Sequence, residues 1–324
     1  MPTLSQLLRN ARLAAGVLLC GMLAGGCSLI VPQTMELRDA WPAALPERAE
    51  LADAAFFPQD EYQCGPAALA TTLTYAGIKV TPEELVPQVY LPARHGSLQI
   101  EMLAAPRKYG IVSYQLAGRF EDVLREIAAG NPVIVLQDFG VWPISIWHYS
   151  VVVGFDRARG HVIVRSGETP RPPMPFPLLE YVWKESKYWA MVTVPPDRIP
   201  ATATEAEMAK AIDDMARVGP ARSVKAAYAA FMRRWPDNLA GPIGLANGHY
   251  ALGELAEAES VLRQASARHP DSVPVLNNLA QTLSDEGRNE EALRVIDRAV
   301  AIPDPFAAAA RETRELILKR LGRT

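Results

Sequence analysis

The apolar and polar positions divide the chain into three stretches with different periods. Leu13 to Leu23 is a short, uninterrupted apolar run preceded by Arg9 and Arg12. Between Pro58 and about Pro196, helical and extended patterns mix. Pro66 to Tyr75 is apolar and Ala-rich, which predicts a buried helix ended by Gly77. Thr81-Pro82-Glu83-Glu84 reads as an N-cap, a proline at the first helical position and acids in the first turn. Further helices are expected over 96–109 and 120–129, the second stopped by Gly130-Asn131-Pro132. Three short runs rich in β-branched residues follow, 133–137, 148–155 and 161–165, with a fourth over 189–194. These read as strands, and 156–160 as a hairpin loop between two of them. Helices first and an antiparallel sheet afterwards predict an α+β domain.

The C-terminal third is rich in Ala, Leu and Glu and repeats itself. Pro236-Asp237 returns as Pro270-Asp271, thirty-four positions on. Gly253 matches Gly287 at the same offset, Ala258 matches Ala292, Leu245-Ala246 matches Leu279-Ala280, and Gly219 precedes Gly253 by that interval. The period resembles the tetratricopeptide repeat (TPR), which implies an all-α region of two antiparallel helices per unit. Small residues at these positions are expected to let the paired helices approach closely. The expected units are 203–236, 237–270 and 271–304, capped by a helix from Phe306 to Leu321.

Composition narrows the function classes. With 49% hydrophobic and 21% charged residues the chain is globular, not disordered. A net charge of −3 supplies no basic field for a phosphate backbone, so no nucleic-acid partner is expected. A length of 324 residues exceeds one typical core. The expected division is a signal segment over 1–26, a proline-bearing tether over 27–50, an α+β domain over 51–200 and the repeats over 201–324.

The apolar run after Arg9 and Arg12 is too short to span a bilayer comfortably and reads as the core of a signal peptide. It ends in Leu23-Ala24-Gly25-Gly26-Cys27, which resembles the lipobox of bacterial lipoproteins, with Ala24 where leucine is usual. The resemblance implies lipidation at Cys27 and a membrane anchor. Ser28 after the cysteine favours the outer membrane of a Gram-negative cell, facing the periplasm.

Of the three cysteines, Cys20 would leave with the signal and Cys27 would carry lipid, so Cys64 has no disulfide partner. It is either an inert core thiol or a reactive group. Its setting, Gln59-Asp60-Glu61-Tyr62-Gln63-Cys64-Gly65-Pro66-Ala67, places the thiol at a helix N-terminus. There the dipole and free N–H groups are expected to lower its pKa and to hold an oxyanion. A thiolate needs a base close in space. His148 opens a strand eighty-four residues later, in Trp147-His148-Tyr149-Ser150-Val151-Val152-Val153-Gly154-Phe155.

These two motifs, with Lys108-Tyr109-Gly110 between them, resemble the bacteriocin-processing (double-glycine leader) peptidase family over about residues 55–196. The resemblance implies a papain-like α+β fold and cysteine peptidase activity, with Cys64 as nucleophile and His148 as general base and acid. It further implies Gln59 as an oxyanion donor, one residue closer to the cysteine than in many members. In that family an Asp on the next strand orients the imidazole. Here Ser166 stands at that place, and Asp156 lies on a turn too far away. A hydroxyl holds a tautomer without stabilising imidazolium as a carboxylate does.

His95, His161, His249 and His269 are expected to be structural or solvent-facing. Trp142 and Trp147 either line a substrate cleft or pack in the core, and core packing is the favoured reading. No ligand spacing supports a metal, and no cofactor is expected. The expected partners are a peptide or protein substrate and a protein met by the repeats. The alternative is a peptide-binding or assembly lipoprotein whose papain-like domain has lost catalysis, and transamidation is a third option.

Overall fold

The structure is a computed structural model that describes residues 31–58, 63–141 and 143–323. Cys27, Gln59 and Trp142 lie outside the described residues.

The N-terminal unit runs α1 (Pro32–Asp39), β1 (Arg48–Glu50), α2 (Cys64–Tyr75), α3 (Pro82–Val89), β2 (Tyr90–Leu91), β3 (Gly96–Ser97) and α4 (Gln99–Lys108). It continues through β4 (Val112–Gln115), α5 (Phe120–Ala128), β5 (Val133–Asp138), β6 (Trp147–Asp156), β7 (His161–Arg165), β8 (Pro173–Pro175), α6 (Phe176–Trp183) and β9 (Ala190–Val194). Thr81 caps α3 in a full capping box with Glu84. The main sheet has the order β4-β9-β5-β6-β7-β8, every pair antiparallel, and β1 adds to the far end of β6. Alternate residues of the sheet serve two cores. Val133, Val135, Val152 and Val192 join Phe120, Leu124 and Trp183 on one face. Ile134, Val151, Val153 and Met191 join Leu69, Leu73, Leu85 and Met102 on the other. Helix α2 is thereby pinned under β6.

The tether expected over 27–50 is corrected for its described part. Pro32 starts α1 rather than breaking it, because a proline at the first helical turn removes no hydrogen bond. The buried Glu180 carboxylate accepts from the amides of Gln33 at 2.9 Å and Thr34 at 2.6 Å. Trp41 packs on Phe155 and Phe176, and β1 pairs in register with β6. These residues belong to the domain.

The C-terminal region is all helical: α7 (Glu205–Ala216), α8 (Ala221–Arg234), α9 (Ala240–Ala251), α10 (Leu255–Arg268), α11 (Val273–Asp285), α12 (Asn289–Val300) and α13 (Ala307–Arg320). The periodic glycines differ in purpose. Gly253 and Gly287 have φ of +75° and +82° and open space where a Cβ would stand. They provide left-handed turns after α9 and α11, not close helix approach. A Cβ on Gly219 would instead lie 2.9 Å from the Arg107 carbonyl of α4. That glycine lets the first repeat press on the α+β unit.

The contact is extensive. Met208, Ile212, Met215, Val224, Tyr228, Phe231 and Leu245 share one core with β4, α5 and β9. The fully buried Glu126 accepts from Asn131 Nδ2 at 2.6 Å and from the Thr202 amide and hydroxyl at 2.7 and 2.6 Å. Tyr114 donates to Glu207 at 2.9 Å, and Arg107 pairs with Asp214 at 3.2 Å. The later repeats have a core of their own, including Leu262, Leu279, Ile296 and Ile317.

Candidate active site

Cys64 is the first residue of α2, directly after the N-cap Gln63. Gly65 is required there: a Cβ would stand 2.3 Å from the Ser97 Oγ of β3. His148 is the second residue of β6, opposite Gln137 of β5. Cys64 and His148 both line one cleft of about 1040 Å³, between the 94–99 segment on one side and residues 145–149 and 185–187 on the other. The sequence separation is closed by α2 packing beneath β6, and the thiol receives a hydrogen bond from the amide of Tyr149, the residue after His148.

The thiol is not the lowered group that its helix position predicts. Burial pushes Cys64 above its ordinary value and outweighs hydrogen bonds from the amides of Tyr149, Gly65 and Cys64 itself. Burial also pushes the His148 imidazole below its ordinary value. Both shifts favour the neutral thiol and the neutral imidazole over their charged forms.

Ser166 stands beside the imidazole, its Oγ 2.8 Å from Nε2 of His148. Its position follows from register: Val151 pairs with Arg165, so the next residue back on β6, Ser150, faces Ser166. The buried Arg165 holds this segment by donating to the carbonyls of Ala54 at 3.2 Å and Pro170 at 2.5 Å. Behind Ser166, Ser150 Oγ lies at 3.1 Å, and Ser150 donates to Gln137 Oε1 at 2.6 Å. Gln137 Nε2 in turn donates to Met174 Sδ at 3.3 Å. Asp156 is at the far end of β6, opposite His161.

Sequence reasoning missed Ser150, Gln137 and Met174. Two signals were present: Ser150 shares a strand face with His148 two residues earlier, and Gln137 is the lone amide in an otherwise apolar run. Trp147 is 49% exposed and lines the cleft, so of its two expected roles the favoured core packing is corrected in favour of cleft lining. It closes the β5–β6 hairpin with Phe139, Val141 and Ile144, all exposed. Asp138 pins that hairpin by accepting from the amides of Gly140 at 2.8 Å and Ile146 at 2.7 Å. Phe139 sets its ring edge-on to His148, with centroids 5.9 Å apart.

Of the other histidines, His95 lines the cleft and His249 meets Glu254 at 2.6 Å within the repeats. Among the described residues no three His, Cys, Asp or Glu side chains gather to hold a metal, and no helix is long and apolar enough to cross a membrane.

The model of the Peptidase_C39 like family matches residues 51–170, and a tetratricopeptide repeat model matches residues 249–311. Among curated proteins no relative matches the chain. A putative C39-like peptidase from Bacillus anthracis is 19% identical, with a TM-score of 0.40, over 46% of this chain and 98% of its own. The peptidase domain of Streptococcus ComA, a bi-functional ABC transporter involved in a quorum sensing pathway, is 17% identical, with a TM-score of 0.37, over 44% and 98%. A thermophilic TPR protein from Thermus thermophilus is 18% identical, with a TM-score of 0.34, over 37% and 66%. The chain thus joins a peptidase C39-like α+β domain to a C-terminal run of tetratricopeptide repeats.

Proposed function

We propose that the protein is a lipid-anchored cysteine peptidase, held to the outer membrane through Cys27, whose repeats recruit the substrate or a partner. The observation that carries this reading is the shared cleft: the free thiol of Cys64 and the imidazole of His148 line it together, with the sulfur against the amide that follows His148. His148 takes the thiol proton as the sulfur attacks the scissile carbonyl. The Cys64 amide and Gln59 steady the oxyanion. Collapse of the tetrahedral adduct breaks the C–N bond, and the imidazolium returns its proton to the leaving amine. Water, deprotonated by His148, then cleaves the thioester.

The charge state of the resting pair sets the style of catalysis. With Cys64 raised and His148 lowered, proton transfer accompanies attack instead of preceding it. The exposed Trp147 and Ile146 at the cleft mouth supply apolar contact for an extended peptide.

Ser166, standing beside His148 where the resembled family has a carboxylate, favours a second reading, a peptide-binding lipoprotein without turnover. One experiment separates the two. The full chain is incubated with a diverse peptide library, and new termini are read by mass spectrometry. Discrete cleavages that vanish in Cys64→Ala support the peptidase; peptide capture without cleavage supports the binder.

A further inference from the structure

We propose that Ser150 and Gln137 are positioning residues: through Ser166 they hold His148 as its Nε2–H tautomer and leave Nδ1 as the base for Cys64. The inference deepens the peptidase reading and rests on it for its catalytic consequence.

The protons along this buried chain of side chains can be assigned one by one. Met174 Sδ has no proton, so the 3.3 Å contact with Gln137 is donated by the amide nitrogen. That turns Gln137 Oε1 toward Ser150, 2.6 Å away, where a carbonyl can only accept. A hydroxyl has one proton, and Ser150 gives its proton to Gln137. Across the 3.1 Å contact Ser150 therefore accepts from Ser166. With its proton on Ser150, Ser166 accepts at 2.8 Å from His148 Nε2, which then carries the hydrogen. A Ser166 proton turned to Nε2 instead would leave the 3.1 Å contact between the two buried hydroxyls without a proton. Gln137 and Ser150 are each 0% exposed, so water does not compete for these bonds.

Four residues from four successive regions of the sheet, β5, β6, the end of β7 and β8, thus read in one direction and replace a carboxylate in one of its two tasks. They orient the ring. Being neutral, they give the imidazolium no ion-pair partner.

The test reads ring-nitrogen chemical shifts in the ¹⁵N-histidine-labelled full chain. The chain has five histidines, so the His148 signals are assigned by their loss in His148→Gln. The expected result is a single Nε2–H tautomer at neutral pH, in the protein whether or not it turns over a peptide. Failure of the peptidase reading therefore leaves this measurement standing. Ser150→Ala, which removes one oxygen, is expected to mix the tautomers and to lower kcat on the order of tenfold or more with KM little changed. Gln137→Glu keeps an acceptor facing Ser150 and is expected to retain the tautomer while raising the acid limb of the pH profile. An Nδ1–H tautomer in the wild-type chain overturns the proposal. So does a folded Ser150→Ala variant with an unchanged tautomer and pH profile.

Discussion

The candidate site and the repeats are built on opposite scales. In the repeats, each unit restates its neighbour thirty-four residues on, and a helix packs chiefly on the helices beside it in sequence. In the site, Cys64 meets a strand that begins more than eighty residues later, and the groups behind His148 come from separate strands. A local, periodic fold tolerates change one unit at a time. A site assembled across a sheet fails when any one contributor is lost. The two meet at α7 and α8, whose apolar faces are continuous with the sheet's own core.

The largest expected effect is on the site. His148→Ala removes the proposed general base, and peptide cleavage should fall on the order of 10³-fold or more in kcat. Steady-state kinetics on any peptide that the wild type cleaves checks this.

Next comes the junction. Phe231 is fully buried in the core shared by both regions, and Phe231→Ala should destabilise the protein by about 3–5 kcal/mol. The α+β unit and the first repeats should then unfold together at the lower temperature. Ile296 belongs to the separate core of the later repeats. Ile296→Ala should cost about 2–5 kcal/mol there while leaving the α+β transition in place. Calorimetry that gave both variants the same pattern would erase the distinction between the two regions.

The repeat period and the Cys-His pair were legible because each shows in residue type at fixed spacing. The physical purpose of the repeat positions was not legible. Gly253 and Gly287 serve backbone dihedrals, whereas Gly219, in the same phase, serves a close approach to Arg107 that only the folded junction creates. The relay behind His148 was hidden for a similar reason. Ser150, Ser166, Gln137 and Met174 are common residues whose contact is decided by strand register. The direction of the Cys64 shift was also misjudged. A helix start lowers a thiol's pKa only when burial does not take more away, and burial is read from the packed domain. Residues 31–50 hid their helix because proline reads as a breaker until its place at the first turn is known.

A smaller effect sharpens the electrostatic side of the comparison. The imidazole must be neutral to take the thiol proton, and burial holds His148 below its ordinary value, so acidification charges it late. The acid limb of kcat/KM should lie below the ordinary imidazole value of about 6.5, with activity lost only under it. A limb above that value would mean that a negative charge supports the ring. Smallest of all, Arg263→Ala removes a repeat-surface contact with Glu259 at 2.6 Å, and should change stability by less than about 1 kcal/mol. Thermal melts that moved as far as those of Phe231→Ala would show the repeat surface to be as sensitive as the junction.

Catalysis as proposed requires that a thiol and an imidazole far apart in sequence stand together. A bifunctional alkylator such as 1,3-dibromoacetone bonds first to sulfur and can then bridge only to a nitrogen within reach of its three-carbon link. Peptide mapping of the treated full chain should recover Cys64 joined to His148. Cys64 alkylated at one end, with His148 unmodified in the same molecules, would contradict the account.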